Sequence, residues 1–447
     1  MTENVKNLVD FFVLPKDQGQ DQEELFRVRL SRLVSPEHEL VKLSGRIEWS
    51  RFDLKFGTLY EAGIGRPATP TRLMVGLHYL KYSYDLSDEE VVARWAENPF
   101  WQYFCGEEFF VNRPPIDPSS MTRWRKRVGE KGAKELLQET LAVAVETKVL
   151  KLSELQNLSA DTTVQEKSIT FPTDAKLLHR MRAKLVTLAK EQGIELRQSY
   201  TRLGRNALIM YHRYVAAKHF KRARNRLRKL RTYLGRTIRD ISRKIEGNAA
   251  LKESFSEPLA LATKLLAEQK QKRGRTIFSI HAPEVECIAK GKAHKPYEFG
   301  VKVSVVTTNK SGFVVSCNAY PGRPHDAATL KPALVEAQAN LGRKIKRGNV
   351  AVDLGYRGHK CGPAWNVLHP RRKRLSPKQH KLVRRRSAIE ATISHLKLDC
   401  RMLKNFLKGT LGDRMNAIFA AAALNFRKLL AAIVFFVLEF FLAWRTA

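Results

Sequence analysis

The sequence is poor in acidic residues relative to basic ones. Its 447 residues include 80 Lys and Arg but only 44 Asp and Glu, which gives a formal net charge of +36 at pH 7. A surface with so many unpaired cations attracts polyanions and is destabilised by self-repulsion when it is alone. Nucleic acid is therefore the first partner to expect, and an anionic membrane surface is the second.

Paired cysteines and a leader-like N-terminus are also lacking. The five cysteines form no CxxC pair and no Cys/His cluster at zinc spacing, which argues against a disulfide framework and against structural zinc. The first 20 residues are mixed and polar, unlike a secretory signal. We therefore expect reduced thiols and a cytoplasmic protein.

The longest apolar run, residues 429–438, is too short to span a membrane. A spanning helix needs about 20 apolar residues, whereas Arg427 and Lys428 stop this run on one side and Glu439 on the other. We expect a buried apolar helix over residues 431–447 and no membrane partner. A helix lying in a membrane interface is the alternative.

Residues 1–150 have the pattern of a helical domain. Ser87 and Glu90 form a capping-box signal for one helix, and a second start at Asp117 opens a helix with cations around Trp124. Two short capped helices, the second of them cationic, are typical of a helix-turn-helix-like DNA reader. The cations in question are Arg123, Arg125 and Arg127. A solvated basic face on an ordinary helical bundle is the alternative interpretation.

Residues 151–175 and 276–430 have the pattern of one mixed α/β domain. A short β-prone segment covers 158–164, and further strands are predicted at 277–280, 299–307, 313–319 and 349–353. The turn at 309–312 predicts an antiparallel hairpin between the third and fourth of these segments. A helix is predicted over 326–339, and helices follow residue 353.

Residues 176–275 separate the two parts of this domain as a basic helical insertion. They contain 27 Lys and Arg against 7 Asp and Glu. Leu227, Leu230, Leu234, Ile238, Ile241 and Ile245 recur at helical spacing and define one apolar side. The other sides carry cations that we expect to bind nucleic acid, namely Lys221, Arg222, Arg224 and Arg228. A solvated charged face is the alternative, but acidic residues are too few to balance it.

Three carboxylates are candidates for metal ligands. Asp161 and Asp353 each follow a short apolar strand segment, and Glu390 lies on a helix one turn after Arg386. Hard oxygen ligands favour Mg²⁺ or Mn²⁺ over zinc, and a pair of such ions suits phosphoryl transfer. Asp326 follows Pro324 and is interpreted as a helix N-cap, outside this set.

Five segments resemble the DDE transposases of bacterial insertion sequences, specifically family five within the larger four-like group. They occur in the family's order and are DTTV at 161–164, KPYEFGVK at 295–302, GRPHD at 322–326, VDLGYRG at 352–358 and residues 386–397. The last segment has the family's spacing of Arg386, Glu390 and Lys397. Val383 stands where the signature has a Tyr, so no phosphate contact is assigned to that position. The likeness extends over about residues 40–430.

The resemblance implies an RNase H-like fold in which Asp161, Asp353 and Glu390 hold Mg²⁺ or Mn²⁺. Arg386 and Lys397 would then grip DNA phosphates near the cleaved bond. We predict a transposase that binds terminal inverted repeats, cleaves DNA and joins the 3′ ends to target DNA as a homodimer or a higher synaptic assembly at the nucleoid. The alternatives are a catalytically inactive DNA-binding protein derived from such an enzyme and a plain metal-dependent nuclease.

Overall fold

The computed structural model describes residues 28–60, 68–268, 276–289 and 295–446, with side chains described as far as Val434. Two compact units make up the chain. The first combines Met1–Glu166 with Val301–Ala447, and the second is Lys167–Gly300.

The N-terminal part of the first unit is helical, as expected. Its helices are α1 (Leu30–Leu33), α2 (Glu39–Ser44), α3 (Trp49–Gly57), α4 (Thr71–Ser83), α5 (Asp88–Glu97), α6 (Pro99–Cys105) and α7 (Ser119–Glu146). The capping box of Ser87 and Glu90 starts α5. Asn98 then caps α6 and Pro99 occupies its first turn. Helix α7 bends at Gly129, whose φ is 61°.

A mixed sheet follows these helices. The described strands are β1 (Asn157–Lys167), β2 (Glu286–Ala289), β3 (Tyr297–Thr308), β4 (Val314–Tyr320), β5 (Gly348–Ala351), β6 (Trp365–Leu368) and β7 (Lys404–Asn405). In the first unit the order is β4-β3-β1-β5-β6, and β7 also pairs with β1. Strand β5 runs parallel to both neighbours, whereas β3 and β4 form the predicted antiparallel hairpin.

One long C-terminal helix joins the N-terminal helices to the sheet. Four helices within residues 174–268, α8 to α11, belong to the second unit. The first unit continues with α12 (Asp326–Asn340), α13 (Pro377–Arg385), α14 (Ala388–Leu398) and α15 (Gly409–Thr446). The Tyr79 ring on α4 stacks on Phe426 of α15 at 5.0 Å between centroids. Asn425 of α15 accepts a hydrogen bond from the Val314 N–H and donates one to its carbonyl oxygen. The segment predicted as a separate domain over 1–150 therefore shares one hydrophobic core with the sheet.

The second unit has a core of its own. Its helices are α8 (Asp174–Glu191), α9 (Thr201–Ala216), α10 (Phe220–Lys244) and α11 (Ala249–Glu268). The apolar side expected near 227–245 is present on α10, because Leu230, Leu234 and Ile241 are buried in this core. In the same unit β2 pairs antiparallel with the first four residues of β3.

The expected strand at 277–280 is wrong. Ile277 and Ile280 are buried in the core of the second unit, but the segment is irregular chain. The apolar residues of a short segment can fill a helical core as well as form a strand, and so short a pattern does not distinguish the two. The sequence patterns did not predict β2, β6 and β7.

The terminal apolar segment belongs to a much longer helix. Residues 409–434 of α15 are long and apolar enough to cross a membrane by length and composition, with 61% of the most apolar window buried inside the protein. Buried side chains continue to Leu430, while Ala431 and Val434 are exposed. The burial expected over residues 431–447 is therefore not found at Ala431 and Val434, and residues 435–447 lie outside the side chains that the structure describes.

Candidate active site

Parallel pairing of β1 and β5 brings two of the candidate carboxylates to the same level of the sheet. The last paired residues are Ser159 and Ala351. Asp161 and Asp353 each lie two residues beyond that pair. Asp353 follows the end of β5, as expected, whereas Asp161 lies in the middle of β1 because that strand continues to Lys167.

Backbone N–H groups fix both carboxylates. Thr162 N donates to Asp161 Oδ1 at 2.7 Å, and Gly355 N donates to Asp353 Oδ1 at 2.9 Å. The second contact makes Asp353 the N-cap of a short 3₁₀ turn, Leu354–Tyr356. Burial raises the pKa of Asp161, and the negative charges of Asp353 and Asp326 raise it further. Two carboxylates of like charge thus lie in a partly buried place that favours a cation.

Arg386 connects Asp161 to the third candidate. The guanidinium Nη1 lies 3.2 Å from Asp161 Oδ2, and Nη2 lies 3.6 Å from Glu390 Oε1. The Glu390 side chain is 67% exposed, and it is connected to Asp161 only through this arginine among the contacts that the structure describes. A single cationic side chain therefore balances carboxylates from β1 and from α14.

The donor chemistry fits a hard divalent cation, because every candidate ligand is a carboxylate oxygen. Within the described ranges, however, no three His, Cys, Asp or Glu side chains are close enough together to hold a metal ion as they stand. Arg386 occupies the space between Asp161 and Glu390 that a shared cation would use.

A fourth carboxylate lies beside the pair. His325, and not Asp326, is the N-cap of α12, and its side chain accepts from the Ala327 N–H. The N-cap interpretation of Asp326 is thus wrong. Its Oδ1 instead accepts from Thr162 Oγ1 at 2.8 Å and from Lys302 Nζ at 2.9 Å.

Tyr356 is buried close to this group of carboxylates. The side chain is 1% exposed, and its hydroxyl lies near the Ser304 side chain. Burial raises the pKa of Tyr356 far above its usual value, and the charges of Asp161, Asp326 and Asp353 add to this effect. The phenol therefore remains protonated.

Sequence reasoning did not single out several of these neighbours. They are Thr162, Lys302, Gly355 and Tyr356, and each belongs to a segment that carried the family resemblance. The order of these segments along the chain was thus the only sequence feature that could have indicated these residues. The residues next to Lys302 in the sequence do not show that it approaches Asp326 from another strand.

Fewer of the α7 arginines face solvent than the sequence predicted. Arg123 and Arg127 are exposed, and the Arg127 guanidinium lies 4.4 Å from the centroid of the Tyr60 ring. Arg125 is only 4% exposed and forms two hydrogen bonds to the Asp88 carboxylate, at 2.8 and 2.5 Å. Assigning Arg125 to DNA contact conflicts with this burial, so the proposed contact face retains Arg123 and Arg127.

The predicted cations of α10 are on its surface. Lys221, Arg222, Arg224 and Arg228 are all exposed. The guanidinium groups of Arg222 and Arg226 lie 6.0 and 5.9 Å from the Tyr214 ring, which holds that end of α10 beside α9. Lys397, the last residue of the signature spacing, is half-buried on α14.

Two family models match the chain. Residues 28–127 match a transposase domain (DUF772), and residues 262–426 match a transposase DDE domain. The second range contains Asp353 and Glu390, while Asp161 lies in neither range.

One curated relative is similar over nearly its whole length. It is the uncharacterized protein ORF8 in the nfe locus of Rhizobium meliloti, 50% identical over 206 residues, which is 46% of this chain and 99% of that protein. No solved structure matches. The two transposase domains, in this order on one chain, place the protein in the family of DDE transposases of insertion sequences.

Proposed function

We propose that this transposase belongs to insertion-sequence family five and acts on both ends of its own element. It binds the terminal inverted repeats, hydrolyses a phosphodiester bond at each end and joins the freed 3′ ends to target DNA. The observation that carries this proposal is the parallel register of β1 and β5, which sets Asp161 and Asp353 side by side with Glu390 linked through Arg386.

Asp161, Asp353 and Glu390 are the residues that would hold Mg²⁺ or Mn²⁺. Bound there, the ions would activate the attacking oxygen and stabilise the leaving one. The backbone N–H groups of Thr162 and Gly355 fix the rotamers of the two aspartates in advance. Water attacks in the cleavage step and a 3′-hydroxyl in the joining step, so one set of carboxylates serves both reactions.

Arg386 would contribute by exchanging partners. Its guanidinium balances the charges of Asp161 and Glu390 in the structure. A DNA phosphate can compete with these carboxylates, because arginine binds both kinds of anion through two parallel hydrogen bonds. DNA binding would then release the two carboxylates for the cation. Lys397 follows on α14, and we assign it a second phosphate contact.

We assign most contacts with DNA to residues other than the three carboxylates. We assign non-specific phosphate contacts to the exposed cations of α10, as part of a basic insertion into an RNase H-like core, and recognition of the ends to the Arg123 and Arg127 face of α7. Two ends must be processed together, so we propose a homodimer or larger synaptic assembly at the nucleoid in the cytoplasm, without a membrane partner.

A paired cleavage and strand-transfer assay with the full chain tests the proposal. We expect Asp161→Asn, Asp353→Asn and Glu390→Gln each to abolish Mg²⁺-dependent cleavage and to leave DNA affinity nearly unchanged, because the amide keeps the shape and removes the charge. Glu257→Gln, an exposed carboxylate on α11, is the matched control.

The same assay separates the alternatives. Cleavage without joining would identify a plain nuclease. DNA binding without either reaction in the parent protein would identify an inactive DNA-binding derivative. Full cleavage by Asp353→Asn would refute the assignment of the site.

A further inference from the structure

Asp326 is held in place by contacts that its helix does not need. It is the first residue of α12, yet His325 caps that helix. The Asp326 carboxylate turns towards the sheet, where Lys302 of β3 and Thr162 of β1 both donate to Oδ1. Lys302 Nζ also donates to the Pro324 carbonyl at 2.8 Å, so the lysine ties this carboxylate to the chain that enters α12.

Through Thr162, Asp326 is connected to Asp161. The Thr162 hydroxyl donates to Asp326, while the N–H of the same residue donates to Asp161 Oδ1. One residue thus forms hydrogen bonds with both carboxylates. The position of Asp326 limits the rotation of Thr162, and with it the path of β1 beside Asp161.

Across Gly355, Asp326 also adjoins Asp353. A Cβ atom built on Gly355 would lie 3.1 Å from Asp326 Oδ2 and 3.2 Å from Asp353 Oδ1. These distances are tighter than ordinary van der Waals contact, so the two carboxylates approach the same point of the turn from two sides. The absent side chain at position 355 is what allows this approach.

The ion pair is partly buried. The Lys302 and Asp326 side chains are 17% and 26% exposed. The Lys302 ammonium therefore balances the charge of Asp326. The charges of Asp161 and Asp353 are left for other cations, and Arg386 is one cation that already lies beside Asp161.

We propose that Asp326, clamped by Lys302, is a positioning residue that sets the Asp161 and Asp353 carboxylates at the spacing required to bind a divalent cation. This inference rests on the proposed function of those two residues. Partners of metal ligands typically change affinity for the metal by about 10–100-fold when they are removed. We expect Asp326→Asn to weaken Mn²⁺ binding by about tenfold or more.

Mn²⁺ titration of the full chain bound to a DNA duplex, followed by electron paramagnetic resonance and corrected for Mn²⁺ binding to the duplex alone, is the measurement. Glu257→Gln removes one carboxylate charge on α11 and serves as control, with parent affinity expected. Parent affinity in Asp326→Asn would overturn the positioning role. Parent affinity in Asp353→Asn as well would instead refute the proposed metal site, so the two failures can be told apart.

Two further variants guard against a simple loss of folding. Thr162→Val keeps the side-chain shape and removes the hydroxyl that joins Asp326 to β1, and we expect it to weaken Mn²⁺ binding with little change in melting temperature. An unchanged affinity would overturn the link to Asp161.

The double variant Lys302→Gln with Asp326→Asn removes both charges of the pair. Recovery of Mn²⁺ affinity in it would mean that the pair acts only by balancing charge, and the proposal requires that affinity stay low.

Discussion

His78 is buried in the first unit between two aromatic rings. The Trp124 and Phe419 centroids lie 4.5 and 5.3 Å from its ring. Its Nδ1 lies 2.7 Å from the Met74 carbonyl oxygen and its Nε2 lies 3.5 Å from Arg125 Nη1, an arrangement that suits a neutral ring donating at Nδ1. Burial, with the nearby charge of Arg125, lowers the pKa of His78 to about 3.

This imidazole should make stability fall in mild acid. A histidine whose pKa is lowered by folding binds more protons when unfolded, so stability decreases as pH falls below about 6.5. Between pH 7 and pH 5 we expect a loss of about 2 kcal/mol from this group, at 1.36 kcal/mol per pKa unit. Urea unfolding of the parent and of His78→Phe at both pH values measures it, with exposed His219→Gln as control. Equal pH dependence in the parent and His78→Phe would contradict this origin.

Gly355 gives a second prediction at the scale of one residue. A methyl group there meets the carboxylates of Asp326 and Asp353, whereas a Cβ at Gly362 meets nothing within 4 Å. We expect Gly355→Ala to reduce cleavage several-fold, because the two carboxylates must move by a few tenths of an ångström to admit the methyl group, and Gly362→Ala to leave it unchanged. Initial cleavage rates at saturating DNA provide the comparison, and equal rates in both variants would exclude a tight fit at position 355.

The sequence indicated the carboxylates that we assign to the site, but not the residues that arrange them. Asp161 and Asp353 were candidates because each follows an apolar strand segment, Glu390 because it lies on a helix one turn after Arg386, and all three because their segments resemble those of the family. No sequence pattern indicates Thr162 or Lys302, because their roles depend on contacts with Asp326, which is far from Thr162 in the sequence and lies on a different element from Lys302.

At the scale of the helix, the cations of α10 form one exposed surface. Each phosphate contact contributes about −0.9 to the log–log slope of DNA affinity against salt. Replacing Lys221, Arg222, Arg224 and Arg228 by Gln should therefore flatten that slope by up to about 0.9 for each phosphate that is no longer neutralised. Filter binding or anisotropy over a salt series measures this slope.

A matched set of cations controls for net charge. Arg343, Lys344, Lys346 and Arg347 are exposed between α12 and β5, and their replacement removes the same four charges. If both sets flatten the slope equally, the effect belongs to the whole molecule and not to α10.

Helix α7 separates two kinds of arginine. Arg123 and Arg127 face solvent, and we expect Arg123→Ala or Arg127→Ala to reduce the preference for inverted-repeat ends over random DNA by about 1–3 kcal/mol, the value of a good contact to a base. Exposed Lys131→Ala, beyond the bend of α7, is the control. Competition binding with the full chain is the measurement, and unchanged preference in both variants would place recognition elsewhere.

Arg125 should affect folding instead. Asp88 forms ion pairs with both Arg125 and Lys81 in a largely buried place, and replacing Arg125 by Ala would remove the first of them. Removing one member of a buried ion pair destabilises by about 3–5 kcal/mol, which urea unfolding of the full chain would measure. The sequence indicated the run of arginines but not which one faces inward, because that depends on the position of Asp88 on α5.

At the scale of the whole molecule, the two units differ in whether their cores need residues that are far apart in the sequence. The core of Lys167–Gly300 is formed by its own helices. The N-terminal helices instead pack on α15, where Tyr82 Oη donates to Asn416 Oδ1 at 3.1 Å and the Phe104 ring lies 5.5 Å from Phe426. The sequence suggested a domain at 1–150 from its helical pattern and from its resemblance to the helical domain that precedes such catalytic cores. Neither signal reveals which distant helix covers an apolar face.

Two fragments test this difference. We expect residues 167–300 to unfold cooperatively when isolated and residues 1–150 to lack a cooperative transition, since the latter would expose the surface that α15 covers. Circular dichroism during thermal melting distinguishes them. In the full chain, Phe426→Ala should cost about 3–5 kcal/mol. A cooperative transition in fragment 1–150 would contradict the shared core.

The position of α15 also sets the order of events during synthesis. Helix α4 leaves the ribosome early, but its aromatic partner Phe426 is translated 347 residues after Tyr79. The nascent N-terminal helices must therefore wait, with their apolar face uncovered, until almost the whole message has been read. A polypeptide released early by a frameshift or a stop codon would lack the helix that closes the core. We therefore expect such truncated products to be substrates for proteolysis and not partial transposases.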